Sequence, residues 1–346
     1  MSCKLTHTEV NGLKAIILEN DLLRVGILPD RGSDIFEFYY KPKSTDFLLR
    51  LPKGIQNPNR VFSQVRSNSN QFEDYYYGGW QVCLPNSPAF NYRGAELGQH
   101  GEVSLIAWEV VTIKDSEDEV SLTLTATPLR FPAKITRTFR LFSNESKLII
   151  EELVENISKT KLDMMWGQHI AFGLPFLADG VDISTNAMHM ETEPTMPAHH
   201  LFKRGEKYDW PKAKKKDGKL INSNKVSAHG EDQYADLCYL TGMGKDAFYA
   251  IKSQEKNVGM AVQWDGELFK ELWYWQERNA TQDAPWWGDC YTVALEPWTS
   301  RWTDKPLEAI KQGDWLSLTV GEQRSTKLIA TAFENQWKNE GYESHQ

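Results

Sequence analysis

The chain has 346 residues, with 39 Lys and Arg against 47 Asp and Glu and a formal net charge of −8. That balance favours solubility and argues against nucleic acid or an anionic membrane as the main partner, because both carry dense negative charge. No apolar run approaches the roughly 20 residues needed to span a bilayer, and Met1 to Asn20 holds neither an apolar h-region nor a small-residue cleavage site. Cys3, Cys83, Cys238 and Cys290 lie far apart with no CxxC spacing. They read as reduced, mostly buried thiols of a cytoplasmic protein rather than a disulfide frame or a zinc site.

Along the chain the dominant period is two. Val120, Leu122, Leu124 and Ala126 alternate with Ser121, Thr123, Thr125 and Thr127, the pattern of a strand with one buried face. In Lys134–Leu141, Ile135, Phe139 and Leu141 share a face opposite Lys134, Thr136, Thr138 and Arg140. Leu148–Val154 and, near the end, Leu316–Val320 are further strand candidates. Turn signals separate such runs at Ser143-Asn144, Asp179-Gly180, Asp265-Gly266 and Gly313-Asp314. Residues 201–232 are polar and rich in lysine (Lys212, Lys214, Lys215, Lys216) and are expected to be a solvated loop. One helix is predicted over Lys305–Gln312, with Pro306 in its first turn and Gly313 at its exit. Many short strands and few helices predict an all-β fold, a large antiparallel β-sandwich or barrel. All-β units often exceed about 200 residues, and no composition shift marks a boundary, so residues 1–346 are expected to form a single domain.

Three stretches carry candidate chemistry: Gly98-Gln99-His100-Gly101-Glu102, Trp166-Gly167-Gln168-His169-Ile170-Ala171-Phe172-Gly173, and Tyr291-Thr292-Val293-Ala294-Leu295-Glu296-Pro297-Trp298. Glu296 ends an apolar run, where a carboxylate is costly to bury without partners, and Pro297 is expected to stop regular pairing. Such a group is either a general base with a raised pKa or a structural carboxylate accepting N–H bonds. His100 and His169 sit beside glycines, where the backbone turns tightly or approaches a ligand closely. Trp273, Trp275, Trp286, Trp287, Trp298 and Trp302 crowd into one short stretch. Most of them read as core filling, and the cluster also suits a carbohydrate pocket, because flat aromatic faces stack on the C–H side of a sugar ring.

The order of a His-Gly, a second histidine after a strand and a late glutamate closing a strand resembles the aldose 1-epimerase (galactose mutarotase-like) family. Glu296-Pro297, the Pro306–Gln312 helix, Gly313 and Gly321-Glu322 resemble that family's C-terminal end, and Asn20 to Val25 with Pro29 and Gly32 resemble its opening hairpin. The resemblance is to a divergent branch. The family's Asn-Arg pair falls shortly before the first histidine, whereas Asn59-Arg60 lies forty positions ahead of His100, with Arg66 and Arg93 as other candidates. It implies a mutarotase-type β-sandwich that interconverts sugar anomers with Glu296 as base, His169 as acid and His100 assisting. Arg93, Asp236 and Gln168 are then expected as polar substrate contacts, and Trp80 and Trp275 as stacking walls. The expected partner is a small sugar, free or phosphorylated, with no cofactor and no metal, and the reading is compatible with a homodimer. Two rival readings are a sugar-binding protein without catalysis and a two-histidine, one-carboxylate metal site.

Overall fold

A strand that alternates apolar and polar side chains is stable only against a second apolar face, and the chain supplies two sheets to meet that need. In the computed structural model, which describes residues 2–60 and 71–339, Val120, Leu122, Leu124 and Ala126 point inward from the strand Glu119–Ala126. That strand pairs antiparallel with Ala133–Phe142, which pairs with Lys147–Asn156 and, beyond it, Gln323–Phe333. Among the described residues this sheet has nine strands and a second sheet has twelve. The second contains the stretches that carry His169 and Glu296.

The inner faces of the two sheets meet in one apolar core. Phe172 of the larger sheet packs edge-on against Tyr249 of the smaller, ring centroids 6.1 Å apart. A continuous cluster of buried side chains runs from Cys3 to Ala332. Each fully buried Val, Leu, Ile or Phe contributes about 1.5–3 kcal/mol. The expected all-β antiparallel sandwich is therefore what the chain forms. All four cysteines are buried and unpaired. Among the described residues no helix is long and apolar enough to cross a membrane.

Several local expectations need correction. The helix Pro306–Gln312 ends as predicted, with Gly313 left-handed at φ 81° and its N–H donated to the carbonyls of Ala309 and Ile310. The following strand is shorter than expected, Leu316–Leu318, because Thr319 and Glu322 close a turn in which the Glu322 carboxylate caps the Thr319 N–H at 2.8 Å. The lysine-rich segment is not a solvated loop. It forms short strands at Lys207–Asp209, Lys212–Lys214, Leu220–Asn222 and Lys225–Val226. Phe202, Ala213 and Val226 sink into the core while most of the lysines stay outside. A few well-spaced apolar residues are enough to fold it down. Pro297 does not stop pairing either, since the strand Tyr291–Trp298 runs through it with Pro297 opposite Leu272.

On the strand Ala133–Phe142, Arg137 faces inward with Ile135, Phe139 and Leu141. Its Nε lies 2.7 Å from Glu152 Oε1 with both side chains fully buried, and its Nη1 donates to the Ser33 carbonyl at 2.9 Å. The other Glu152 oxygen accepts from Trp166 Nε1 at 3.0 Å and Gln168 Nε2 at 2.8 Å. Removing one partner of a buried ion pair leaves the other uncompensated, at a cost of about 3–5 kcal/mol, whereas replacing both by apolar groups of similar volume is far cheaper. Glu152→Leu is therefore expected to lower unfolding free energy by that amount in urea titrations, and the double variant Arg137→Met/Glu152→Leu to recover most of it. Equal losses in the two variants would refute this account.

Candidate active site

The strand Gly167–Phe172 lies between Trp80–Cys83 and Tyr291–Trp298, which is followed by Glu271–Arg278 and Ala235–Thr241. Alternation sends Gln168, Ile170 and Phe172 toward the core and Gly167, His169 and Ala171 to the other face. Gly167 pairs with Trp298 and Ala171 with Ala294, so His169 stands opposite Glu296. Glu296 in turn pairs with Trp273, and Trp273 with Tyr239. The result is a single row across the sheet, with His169 Nε2 3.7 Å from Glu296 Oε1 and both side chains buried.

Gly167 makes room for this arrangement. A Cβ there would lie 2.1 Å from the Trp298 ring. Without one, the indole lies over the strand, stacks on Trp273 at 4.5 Å and donates its N–H to Glu296 Oε2 at 3.0 Å. His100 arrives from a tight turn rather than from the sheet. It is left-handed at φ 58°, followed by Gly101 at φ 73°, and its N–H donates to the Ser87 carbonyl at 2.9 Å. Its ring lies 5.4 Å from that of His169 and meets Phe72 edge-on at 4.5 Å. The two histidines and the glutamate thus converge.

Dry surroundings set the protonation of this group. Burial pushes the Glu296 carboxyl up to about 8, against the opposing N–H of Trp298, and drives His169 down to about 3. His100 is held well below the usual imidazole range, by burial first and by the proximity of His169 second. Burial thus favours a protonated carboxyl at Glu296 and neutral imidazoles at His169 and His100. Nδ1 of His100 and of His169 is buried, with no side-chain hydrogen-bond partner among the described residues.

The cavity above the row has a volume of about 450 Å³. Its apolar walls include Trp275, Trp286, Trp302, Phe72, Tyr76 and Met196, and its charged lining is acidic, Glu73 and Asp304 besides Glu296. Phe72 and Tyr76 were not singled out from sequence. They come from the short helix Gln71–Tyr75 and the residue after it, and the run Tyr75-Tyr76-Tyr77 before Gly78-Gly79 was the available signal. Among the described residues no three His, Cys, Asp or Glu side chains are disposed to hold a metal ion.

Of the five expected substrate contacts, only Trp275 lines the cavity. Gln168 and Trp80 face the core, where the Trp80 N–H donates to Gln168 Oε1 at 2.9 Å; Gln168 alternates with His169 along its strand, and Trp80 pairs with the core residue Ile170. Asp236 alternates with Leu237, which lines the cavity, and so is turned from it, accepting the backbone N–H of Leu201 at 2.6 Å and of Phe202 at 3.3 Å. Arg93 sits at a hairpin turn, half-exposed, donating to the Lys161 carbonyl at 2.8 Å and paired with Asp163 at 3.4 Å. Arg60 reaches Asn11 Oδ1 at 3.2 Å, away from the site, and Arg66 lies outside the described residues.

With this geometry in view, the chain can be set beside known proteins. No curated protein sequence matches it. Solved structures do. A protein from Klebsiella pneumoniae, provisionally named an aldose 1-epimerase, superposes with a TM-score of 0.67 at 14% identity, covering 95% of this chain and 82% of that one. A galactose mutarotase-like protein from Clostridium acetobutylicum gives 0.65 at 17% identity, with 96% and 99% covered. A Synechocystis protein gives 0.63 at 17% identity, covering 96% of each chain. At these identities the likeness establishes the fold, which is galactose mutarotase-like. A family model matches residues 10–331, and by that match the chain belongs to the family described as a domain of unknown function, DUF4432.

Proposed function

We propose that the protein interconverts the α and β anomers of a sugar by acid–base ring opening and closure. The observation that carries this reading is the His169–Glu296 pair: two titratable groups 3.7 Å apart, buried, with burial pushing the carboxyl pKa up and the imidazole pKa down, at the floor of a tryptophan-walled cavity. Opening a hemiacetal needs a base to take the O1 proton while the C1–O5 bond breaks and an acid protonates O5. Glu296 is assigned the base and His169 the acid, with His100 hydrogen-bonding the ring oxygen. Rotation about C1–C2 and reclosure on the other face then produce the opposite anomer.

The protonation state gives this scheme a direction. Opening starts from Glu296 carboxylate with His169 imidazolium and ends with protonated Glu296 and neutral His169. The second state is the one that burial favours in the ligand-free site, so the site at rest is complementary to the open-chain aldehyde. Ring closure then begins with His169 accepting the C5 hydroxyl proton while Glu296 returns its proton to the carbonyl oxygen. Preorganisation toward an intermediate, rather than toward either closed sugar, is what accelerates exchange.

Glu296→Gln keeps size and hydrogen bonding while removing the titrating oxygen. It is expected to retain sugar binding and to lose at least about 100-fold in exchange rate, the lower end for a general base, measured by NMR saturation transfer between anomers. His169→Asn should lose about as much, and the double variant little more, because both groups serve one step. His100→Asn should be milder. A Glu296→Gln protein that folds and exchanges anomers at the wild-type rate would end this assignment.

The pH profile is a second test. Below about 3 the pair gains a second proton and loses its base, and above about 8 it loses its only proton and with it the acid. kcat/KM should therefore be bell-shaped, with limbs belonging to the pair rather than to either residue. Stability moves with the same group. The folded-state pKa of Glu296 is raised from 4.5 to about 8, so the wild type should lose stability relative to Glu296→Gln as pH rises across that window, and no further above it. Thermal unfolding of the two proteins from pH 4 to 9, with no divergence between them, would contradict the burial argument.

A further inference from the structure

A second cavity, of about 440 Å³, opens beside the first and shares Trp302 and Asp304 with it. The row that carries the catalytic pair leads into it. Tyr239, opposite Trp273, pairs on its other side with Glu191, and Glu191 pairs with Lys207. Neighbouring strands lie about 4.8 Å apart, so the row passes from Glu296 to Tyr239 over about 10 Å and to Glu191 over about 14 Å. That distance is greater than a single pyranose spans and suits two or three units laid across the strands.

The second cavity is built of hydrogen-bonding groups held in place. The Tyr239 hydroxyl donates to Glu193 Oε2 at 2.6 Å, and Glu193 Oε1 accepts from Thr195 Oγ1 at 2.7 Å. The Arg301 guanidinium bridges Glu191 at 2.5 Å and Glu271 at 2.9 Å and lies over the Tyr239 ring at 5.1 Å. Its charge is therefore already matched by two carboxylates. The lining carries Lys207 and Arg301 against Glu191, Glu193, Glu206 and Asp304, an acidic balance that disfavours a phosphate or uronate and leaves many acceptors for neutral hydroxyls.

We propose that the two cavities form one cleft for a neutral, reducing disaccharide or longer glycan. The reducing unit lies over His169 and Glu296, Trp302 is a shared wall at the junction, and the next unit lies over Tyr239 beside Arg301. The proposal rests on the anomer-exchange reading of the first cavity and names its substrate class. It assigns the second cavity a role in recognition and none in proton transfer.

The test compares saturation-transfer exchange for glucose, glucose 6-phosphate, maltose, cellobiose and lactose, the disaccharides all having glucose at the reducing end. At least one disaccharide should show kcat/KM ten or more times that of glucose, and glucose 6-phosphate should fall below glucose. Lys207→Trp, at a side chain 57% exposed, places an indole in the second cavity and should bring the disaccharide-to-glucose ratio close to one. Its thermal unfolding midpoint and circular dichroism, set against the wild type, report that the fold is intact. Glucose matching or exceeding every disaccharide overturns the proposal, as does a ratio that survives Lys207→Trp. Exchange with none of the sugars would instead overturn the anomer-exchange reading. The cleft would then be judged by calorimetric binding to the wild type, where a tenfold preference for one of these disaccharides over glucose sustains it and equal or absent binding removes it.

Discussion

Everything at the site depends on the register between two antiparallel strands. Gly167 against Trp298 and Ala171 against Ala294 place an imidazole and a carboxyl side by side on the face of the sheet that does not meet the core. A slip of one residue would turn His169 into the apolar interior and bring Gln168 out in its place, since side chains along a strand alternate with a period of two. Register in this sheet is fixed by inner-face residues such as Ile170, Phe172, Val293 and Leu295. The core is thus what aligns the chemistry on the opposite side.

The same strand shows how an ionisable group is held dry on one face while a charged network anchors the other. Behind His169, Gln168 bonds to Glu152 and Trp80, and Glu152 to Arg137. That network fixes the strand's inner side with directional bonds rather than with apolar contact alone. In front, the Glu296 carboxyl lies against the stacked Trp298 and Trp273 and accepts the Trp298 indole N–H. Among the described residues Glu152 has an arginine and two N–H donors, whereas Glu296 has that indole and the His169 imidazole beside it.

The fold and the convergence of His100, His169 and Glu296 were legible in the sequence, because alternation is a local signal and because ionisable residues amid glycine and apolar neighbours are conspicuous. The side chains that line the cavity around them were not. Gln168 was nominated for its place beside His169, yet adjacency along a strand sends a side chain to the opposite face, and Asp236 is turned from the cavity by the same alternation next to Leu237. Trp80 failed for a related reason, since a strand buried on both faces gives no alternation from which to choose a side. The lysine-rich segment misled because its composition is polar although its few apolar residues fall where a short hairpin can bury them. Phe72 and Tyr76 reach the cavity from a one-turn helix with no periodicity to reveal it.

Trp298 and Trp273 stack with centroids 4.5 Å apart and planes 18° from parallel, and one of the two indoles holds the Glu296 carboxyl. Two indoles at that spacing couple their strong ultraviolet transitions and contribute an exciton couplet to the far-ultraviolet circular dichroism. One member of that coupled pair is the indole that donates to the carboxyl, so the chromophore and the titrating group are in direct contact.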